Sequence, residues 1–209
     1  MDAGLLPVKG LTSAKRRLAP RFDDDQRVEI ARALLDDALR LCASVEWLDW
    51  WVVCDDDEVA AKASDRGLKV ARDESRGLNA ALFSATEHLT SAGAGSVTIV
   101  PCDVPLAWRG DLQDLSDTGA TSDMVIVPSG DGGTNGLYLS PPGLVTPVFG
   151  AGSLKAHVDL ARSLAIRCSI LELPRLALDI DTPQDVDVFL ARPRADETSV
   201  GRLLSRLSE

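Results

Sequence analysis

The residues best suited to chemistry sit in two acidic turns. In Thr98-Ile99-Val100-Pro101-Cys102-Asp103-Val104-Pro105-Leu106, three β-formers run into an aspartate, and Pro105 keeps the strand from simply continuing. The run Leu178-Asp179-Ile180-Asp181-Thr182-Pro183 repeats the plan, with apolar residues, then acids, then a helix start. In an open α/β sheet a ligand lies beyond the carboxyl ends of the strands, so acids in such turns aim carboxylates into the crevice, where a metal would bind. Asp179 and Asp181 are two residues apart, a spacing that shares one side of an extended chain. A lone Asp-x-Pro caps a turn more often than it binds anything. The second cluster tips the reading toward a metal.

Cations gather in one place as well. Lys9, Lys15, Arg16 and Arg17 fall within nine residues, directly after the apolar Leu5-Leu6-Pro7-Val8, which with Lys9 reads as a first strand. A charge run is usually a solvated face, but this one sits where an anion site would be built. It lacks the glycine spacing and the Gly-Lys-Ser/Thr ending of a Walker A loop. Gly77 and Asn79 open a helix rich in Ala and Leu. A glycine there admits a ligand or another backbone, and Asn79 offers a donor and an acceptor, so either could serve a nucleotide.

Two glycine-rich loops bracket one predicted hairpin. The first runs Ser129-Gly130-Asp131-Gly132-Gly133-Thr134-Asn135-Gly136, between the strands Met124–Pro128 and Leu137–Leu139. A hairpin with a flexible loop would account for it alone. The second, Phe149-Gly150-Ala151-Gly152-Ser153, opens a helix to about Leu164. Backbone amides at such an N-terminus, with the Ser153 hydroxyl, suit a phosphate or carboxylate. No catalytic His or Ser-His pair stands out.

The remaining elements alternate in type. Helical periodicity runs from Asp25 to about Ala43; Trp50–Cys54 reads as a strand, and Asp57 as the N-cap of a helix over Glu58 to Asp65. A short strand at Leu68–Ala71 precedes the segment from Asp73 to Leu89, where His88 suits a surface or helix-end role. A short helix near Leu112 to Leu115, a strand over Cys168 to Leu173 and a helix over Gln184 to Leu190 with Pro183 at its first position complete the plan. Past Arg192, Val200, Leu203, Leu204 and Leu207 form an amphipathic tail that would dock on its own domain or on a twin subunit in a homodimer. The organisation expected is one domain over residues 1–192 and a tail over 193–209.

At 209 residues the chain can bury a sizeable core, and its net charge of −10 argues against general nucleic-acid binding, since a polyanion would be repelled. Cys42, Cys54, Cys102 and Cys168 form no Cys-x-x-Cys pair and read as buried free thiols. No stretch resembles a signal peptide or a membrane span, so a cytoplasmic protein is expected.

With these residues in view, the chain resembles the 2-phospho-L-lactate/phosphoenolpyruvate guanylyltransferases of coenzyme F-420 biosynthesis, the CofC/FbiD family. The similarity spans about residues 5 to 190. Its elements are Pro7-Val8-Lys9 with Ala14-Lys15-Arg16-Arg17-Leu18, Gly77-Leu78-Asn79, Cys102-Asp103-Val104-Pro105-Leu106, Gly133-Thr134-Asn135, Phe149-Gly150-Ala151-Gly152-Ser153 and Leu178 to Pro183. Each is weak alone, whereas their order and spacing are specific. The resemblance implies a Rossmann-like three-layer α/β sandwich with a mostly parallel central sheet, the fold of nucleotide-diphospho-sugar transferases and MobA-like nucleotidyltransferases. It also implies GMP transfer from GTP to a three-carbon phosphoacid. By position, Asp103, Asp179 and Asp181 become ligands of Mg2+, Asp103 and Lys15 catalytic groups, and Lys9, Lys15, Gly77 and Asn79 the GTP side. Thr134, Gly150 and Ser153 become the acceptor side. The alternatives are another nucleotidyltransferase, of molybdopterin type for example, and a nucleotide-binding module without turnover.

Overall fold

The computed structural model describes residues 1–13, 15–72 and 77–208, in which a seven-stranded sheet runs in the order β3-β2-β1-β4-β6-β5-β7. Its strands are β1 (Asp2–Pro7), β2 (Asp49–Cys54), β3 (Lys69–Arg72), β4 (Ser96–Ile99), β5 (Met124–Pro128), β6 (Thr134–Leu139) and β7 (Cys168–Ile170). All neighbours pair in parallel except those of β6, which lies antiparallel between β4 and β5. The helices are α1 (Asp24–Ala43), α2 (Asp57–Ser64), α3 (Leu78–Ser91), α4 (Arg109–Gly119), α5 (Ser153–Ser163), α6 (Pro183–Leu190) and α7 (Ser199–Leu207). The segment from Asp73 that was expected to lead into α3 begins outside the described residues.

Alternation along the strands builds the layers. Leu6 and Val8 pack with α1 and α2 on one face, while Ala3 and Leu5 pack with α3 on the other. The buried stripe of α1 is wide enough to serve two cores. Leu35 and Leu39 face the sheet, and Ile30 and Leu34 join Val186 and Phe189 of α6 and Val200, Leu203 and Leu204 of α7. The amphipathic tail therefore docks on its own chain. Asp37 of α1 fixes the end of α7, accepting the N–H groups of Ser199 at 2.8 Å and Val200 at 3.0 Å. A carboxylate there satisfies two orphan donors and complements the helix dipole.

Some expected boundaries move, for identifiable reasons. Asp56, not Asp57, caps α2, because its extended backbone turns the carboxylate onto the N–H groups of Glu58 and Val59. Asp57 is the first helical residue. α4 extends well beyond Leu112–Leu115: most of its polar residues face solvent, Leu112 and Leu115 are buried, and the buried Asp111 is paired with Arg175. β7 stops at Ile170, which is exposed at the sheet edge. The four cysteines are free thiols. No helix among the described residues is long and apolar enough to cross a membrane.

Leu204 is fully buried between α7, α1 and α6. Leu204→Ala should lower the free energy of unfolding by about 2–5 kcal/mol in urea denaturation, the usual range for truncating a buried leucine. A loss well under about 1 kcal/mol would mean that the tail is not part of the cooperative core.

Candidate active site

The two acidic turns meet through one backbone bond. The N–H of Ile180 donates to the carbonyl of Asp103 at 3.0 Å, laying residues 179–181 alongside the turn after β4. Ile180 is wholly buried in the α1–α6–α7 core, so the pleat sends Asp179 and Asp181 the other way, toward Asp103. Carboxylate oxygens of Asp103, Asp179 and Asp181 lie within 4.8 Å of one another. Thr182 starts α6 in a capping box with Asp185, whose carboxylate also accepts the Asp181 N–H at 3.0 Å. Asn135, buried at the start of β6, donates to Asp179 Oδ1 at 3.0 Å and to the carbonyl of Leu176 at 3.1 Å.

Two cations of the basic loop, Lys15 and Arg17, reach this triad. Leu18, fully buried beside Ile180 in the same core, anchors the loop's far end, and Asp56 holds its near end by accepting the Leu11 N–H at 3.3 Å. Lys15, with a left-handed φ of 54°, extends Nζ to Asp103 Oδ2 at 2.7 Å and Asp181 Oδ1 at 3.0 Å. Burial alone would lower the Lys15 pKa, but the charges of Asp103 and Asp181 outweigh it and hold the group above its ordinary value. Arg17 reaches Asp181 Oδ2 at 3.3 Å from a mostly exposed position. The triad thus already holds a cation, and its donors are all carboxylate oxygens. That set fits a hard divalent ion such as magnesium, which prefers oxygen ligands. Beside it, burial and then the Asp103 charge push the Cys102 thiol up to about 12, which keeps it protonated and unfit as a nucleophile.

The opposite wall comes from the two glycine loops. Thr134 and Gly150 both line a cleft of ≈450 Å³ shared with Lys9, Lys15, Leu78 and the acidic triad. Gly150 (φ 112°) and Gly152 (φ 73°) lie in the left-handed region, where a side chain would add strain, and nothing lies within 4 Å of where a Cβ would stand at either. Asp131, which the sequence did not single out, also lines the cleft; it accepts from Ser129 Oγ and from the Gly133 N–H, and the Ser129 bond lowers its pKa.

Not every expected residue points into the cleft. Ser153 is buried behind Thr134 and donates to its Oγ1 at 3.0 Å. Asn79 accepts the Phe149 N–H at 2.8 Å and donates to the Phe149 carbonyl at 3.3 Å, bracing the second glycine loop. Gly77 is the N-cap of α3, and Lys9 stands exposed on the cleft wall. The sequence offered no hydroxyl–imidazole pair, yet one exists: His157 Nδ1 lies 3.3 Å from Thr134 Oγ1. Burial lowers the His157 pKa to about 4, so it is a poor base at neutral pH. His88 is exposed and edge-on to Trp51, remote from these residues in role.

The Asp179 carboxyl has a raised pKa, first through burial and then through the charges of Asp103 and Asp181, while the bond from Asn135 opposes the rise. A folded pKa above the unfolded one makes ionised Asp179 a cost to folding; the cost is complete above the raised pKa and vanishes below the unfolded one. Asp179→Asn retains an acceptor for Asn135 and removes that cost. With chelator at pH 7 its Tm should equal or exceed that of the parent, and magnesium should raise its Tm less than it raises the parent's. A lower Tm in chelator would contradict the electrostatic assignment.

Comparison with known proteins shows the family. The family model described as "Guanylyl transferase CofC like" matches residues 3–198. The chain is 34% identical to a phosphoenolpyruvate guanylyltransferase of Conexibacter woesei, over 88% of this chain and 85% of that protein. It is 33% identical to a 2-phospho-L-lactate guanylyltransferase of Methanothermobacter thermautotrophicus, over 87% of this chain and 81% of the relative. A crystal structure of a candidate nucleotide-diphospho-sugar transferase from Desulfovibrio desulfuricans G20 superposes with a TM-score of 0.84 at 18% identity, covering 99% of this chain and 95% of that one, which shows the shared fold. With a family model spanning nearly the whole sequence and relatives above 30% identity over most of it, the chain belongs to the CofC-like guanylyl transferase family.

Proposed function

We propose that the protein transfers GMP from GTP to the phosphate of a three-carbon phosphoacid, 2-phospho-L-lactate, phosphoenolpyruvate or 3-phosphoglycerate, releasing pyrophosphate, as a step of coenzyme F-420 biosynthesis. The observation that carries this reading is that the acidic triad, the basic loop and the Thr134–Gly150 wall all line one cleft. A reaction between two polyanions needs such an alternation of charge, because each phosphate must be neutralised before the other can approach.

On this reading Asp103, Asp179 and Asp181 hold magnesium, which when bound would polarise and align phosphate oxygens. Lys9 and Lys15 neutralise the phosphates of GTP, whose nucleoside lies toward Gly77 and Asn79 at the start of α3. Thr134 and the backbone around Gly150 hold the acceptor, and Ser153 supports Thr134 from behind. A phosphomonoester's second pKa is about 6, so the attacking oxygen is already anionic at neutral pH. No side chain has to remove a proton from it, which suits a cleft whose nearest imidazole is buried and protonates only near pH 4. The acceptor oxygen bonds to the α-phosphorus as the bond to the β-phosphate bridge breaks and pyrophosphate leaves.

Pyrophosphate release should require both GTP and one of the three acids, and should be weak with the other nucleoside triphosphates. Asp103→Asn should lower kcat by on the order of 10²–10³ or more, the scale for losing one electrostatic contact to a transition state. Release with GTP but no acid, or none with any of the three acids, would contradict the proposal.

A further inference from the structure

Four groups in and behind the acceptor wall form a continuous hydrogen-bond chain. Ser153 and His157 stand one turn apart on α5, and that spacing puts both on the face turned to β6. Both side chains are buried, His157 completely, and so is Thr134. The Val148 N–H reaches His157 Nε2 at 3.2 Å, Thr134 Oγ1 lies 3.3 Å from His157 Nδ1, and Ser153 Oγ donates to the same Oγ1 at 3.0 Å.

Donor and acceptor accounting leaves one arrangement. Val148 can only donate, so Nε2 must be the bare nitrogen, and a neutral ring then carries its proton on Nδ1. Its burial keeps the ring neutral. Nδ1–H is therefore a donor, with Thr134 Oγ1 at 3.3 Å and the Ser153 carbonyl one turn back as its acceptors. A threonine hydroxyl has two lone pairs and one proton; Nδ1–H and the Ser153 hydroxyl both present protons to Thr134 Oγ1, so the Thr134 proton is turned away from them, toward the cleft that Thr134 lines.

We propose that His157 is a positioning residue for the acceptor: it fixes the Thr134 hydroxyl as an obligate donor to an anionic oxygen of the acceptor, and it ties the rim of the second glycine loop through Val148. The same contact favours a carboxylate or phosphate oxygen at that point over a hydroxyl or amide that would need an acceptor in return. Phe149, edge-on to the His157 ring with centroids 6.3 Å apart and clamped by Asn79, keeps that rim in place from the other side.

The inference rests on the acceptor side of the proposed function, and a double-mutant cycle separates the two. The full chain would be assayed at saturating GTP and magnesium with phosphoenolpyruvate or 2-phospho-L-lactate varied. Thr134→Val and His157→Leu should each raise the acceptor KM roughly tenfold or more, the effect of losing a hydrogen bond to a charged group, and should leave the KM for GTP unchanged. The double variant should be no worse than Thr134→Val alone. His157→Asn, whose amide nitrogen falls near Nδ1, should recover most of the loss. Additive effects, or an equal rise in the KM for GTP, would overturn the positioning role. A silent Thr134→Val would overturn the acceptor assignment itself, and this inference with it. Independently of any variant, long-range ¹H–¹⁵N correlation on the unaltered protein should show one of its two histidines as a neutral Nδ1–H tautomer with Nε2 bare at pH 7; the Nε2–H tautomer on the buried ring would overturn the proposal.

Discussion

Three carboxylates within 4.8 Å of one another set the problem that the rest of the molecule solves. At that separation and an effective dielectric near 20, each ionised pair repels by on the order of 3 kcal/mol. The compensation comes from three directions. Lys15 lies between Asp103 and Asp181, Asn135 donates to Asp179, and the Ile180–Asp103 backbone bond holds the two turns together. None of these parts stands alone: Lys15 is placed by Leu18, Asn135 by β6 and Ile180 by the core that α6 and α7 close. The docked tail, far from the cleft in sequence, thus supports the geometry of the acidic site.

The antiparallel β6 is where the cleft's two walls meet. Its second residue, Asn135, orients an acid of the triad, and its first, Thr134, faces the proposed acceptor. The β5–β6 register shifts at this point, leaving Asn135 as an extra residue, and a bulge of this kind re-aims side chains, so Thr134 and Asn135 both line the cleft and one short stretch serves both functions. On the proposed reading this couples the two substrates. A shift in β6 that misplaced the acceptor would also loosen Asp179.

Much of the fold was legible because its signals are local. Apolar runs ending in acids marked strand ends, Pro183 marked the first turn of α6, and the periodicity of Val200, Leu203, Leu204 and Leu207 marked a docking face. What escaped depended on backbone angles or on contacts distant in sequence. Asp55, Asp56 and Asp57 are equivalent as letters, and only the backbone angle at Asp56 makes it the cap. Asn135 was visible as a motif letter without a role, since Asp179 is 44 residues away. Ser153 and His157 stand at helical spacing, but nothing in the sequence says that α5 turns that face to Thr134, so no pair stood out. Lys15 is legible as a catalytic and nucleotide-side cation, but its contacts with Asp103 and Asp181, 88 and 166 residues away, are not.

The central claim is that the acceptor phosphate attacks GTP directly within one cleft, with no protein group taking the guanylyl unit in between. The stereochemical course at the α-phosphorus tests this most directly, using a single diastereomer of GTPαS and determining the configuration at the sulfur-bearing phosphorus of the thiodiphosphate formed. One in-line displacement inverts the configuration, and inversion is the expected result. Retention would require two displacements through a covalent guanylyl-enzyme, and would contradict the account.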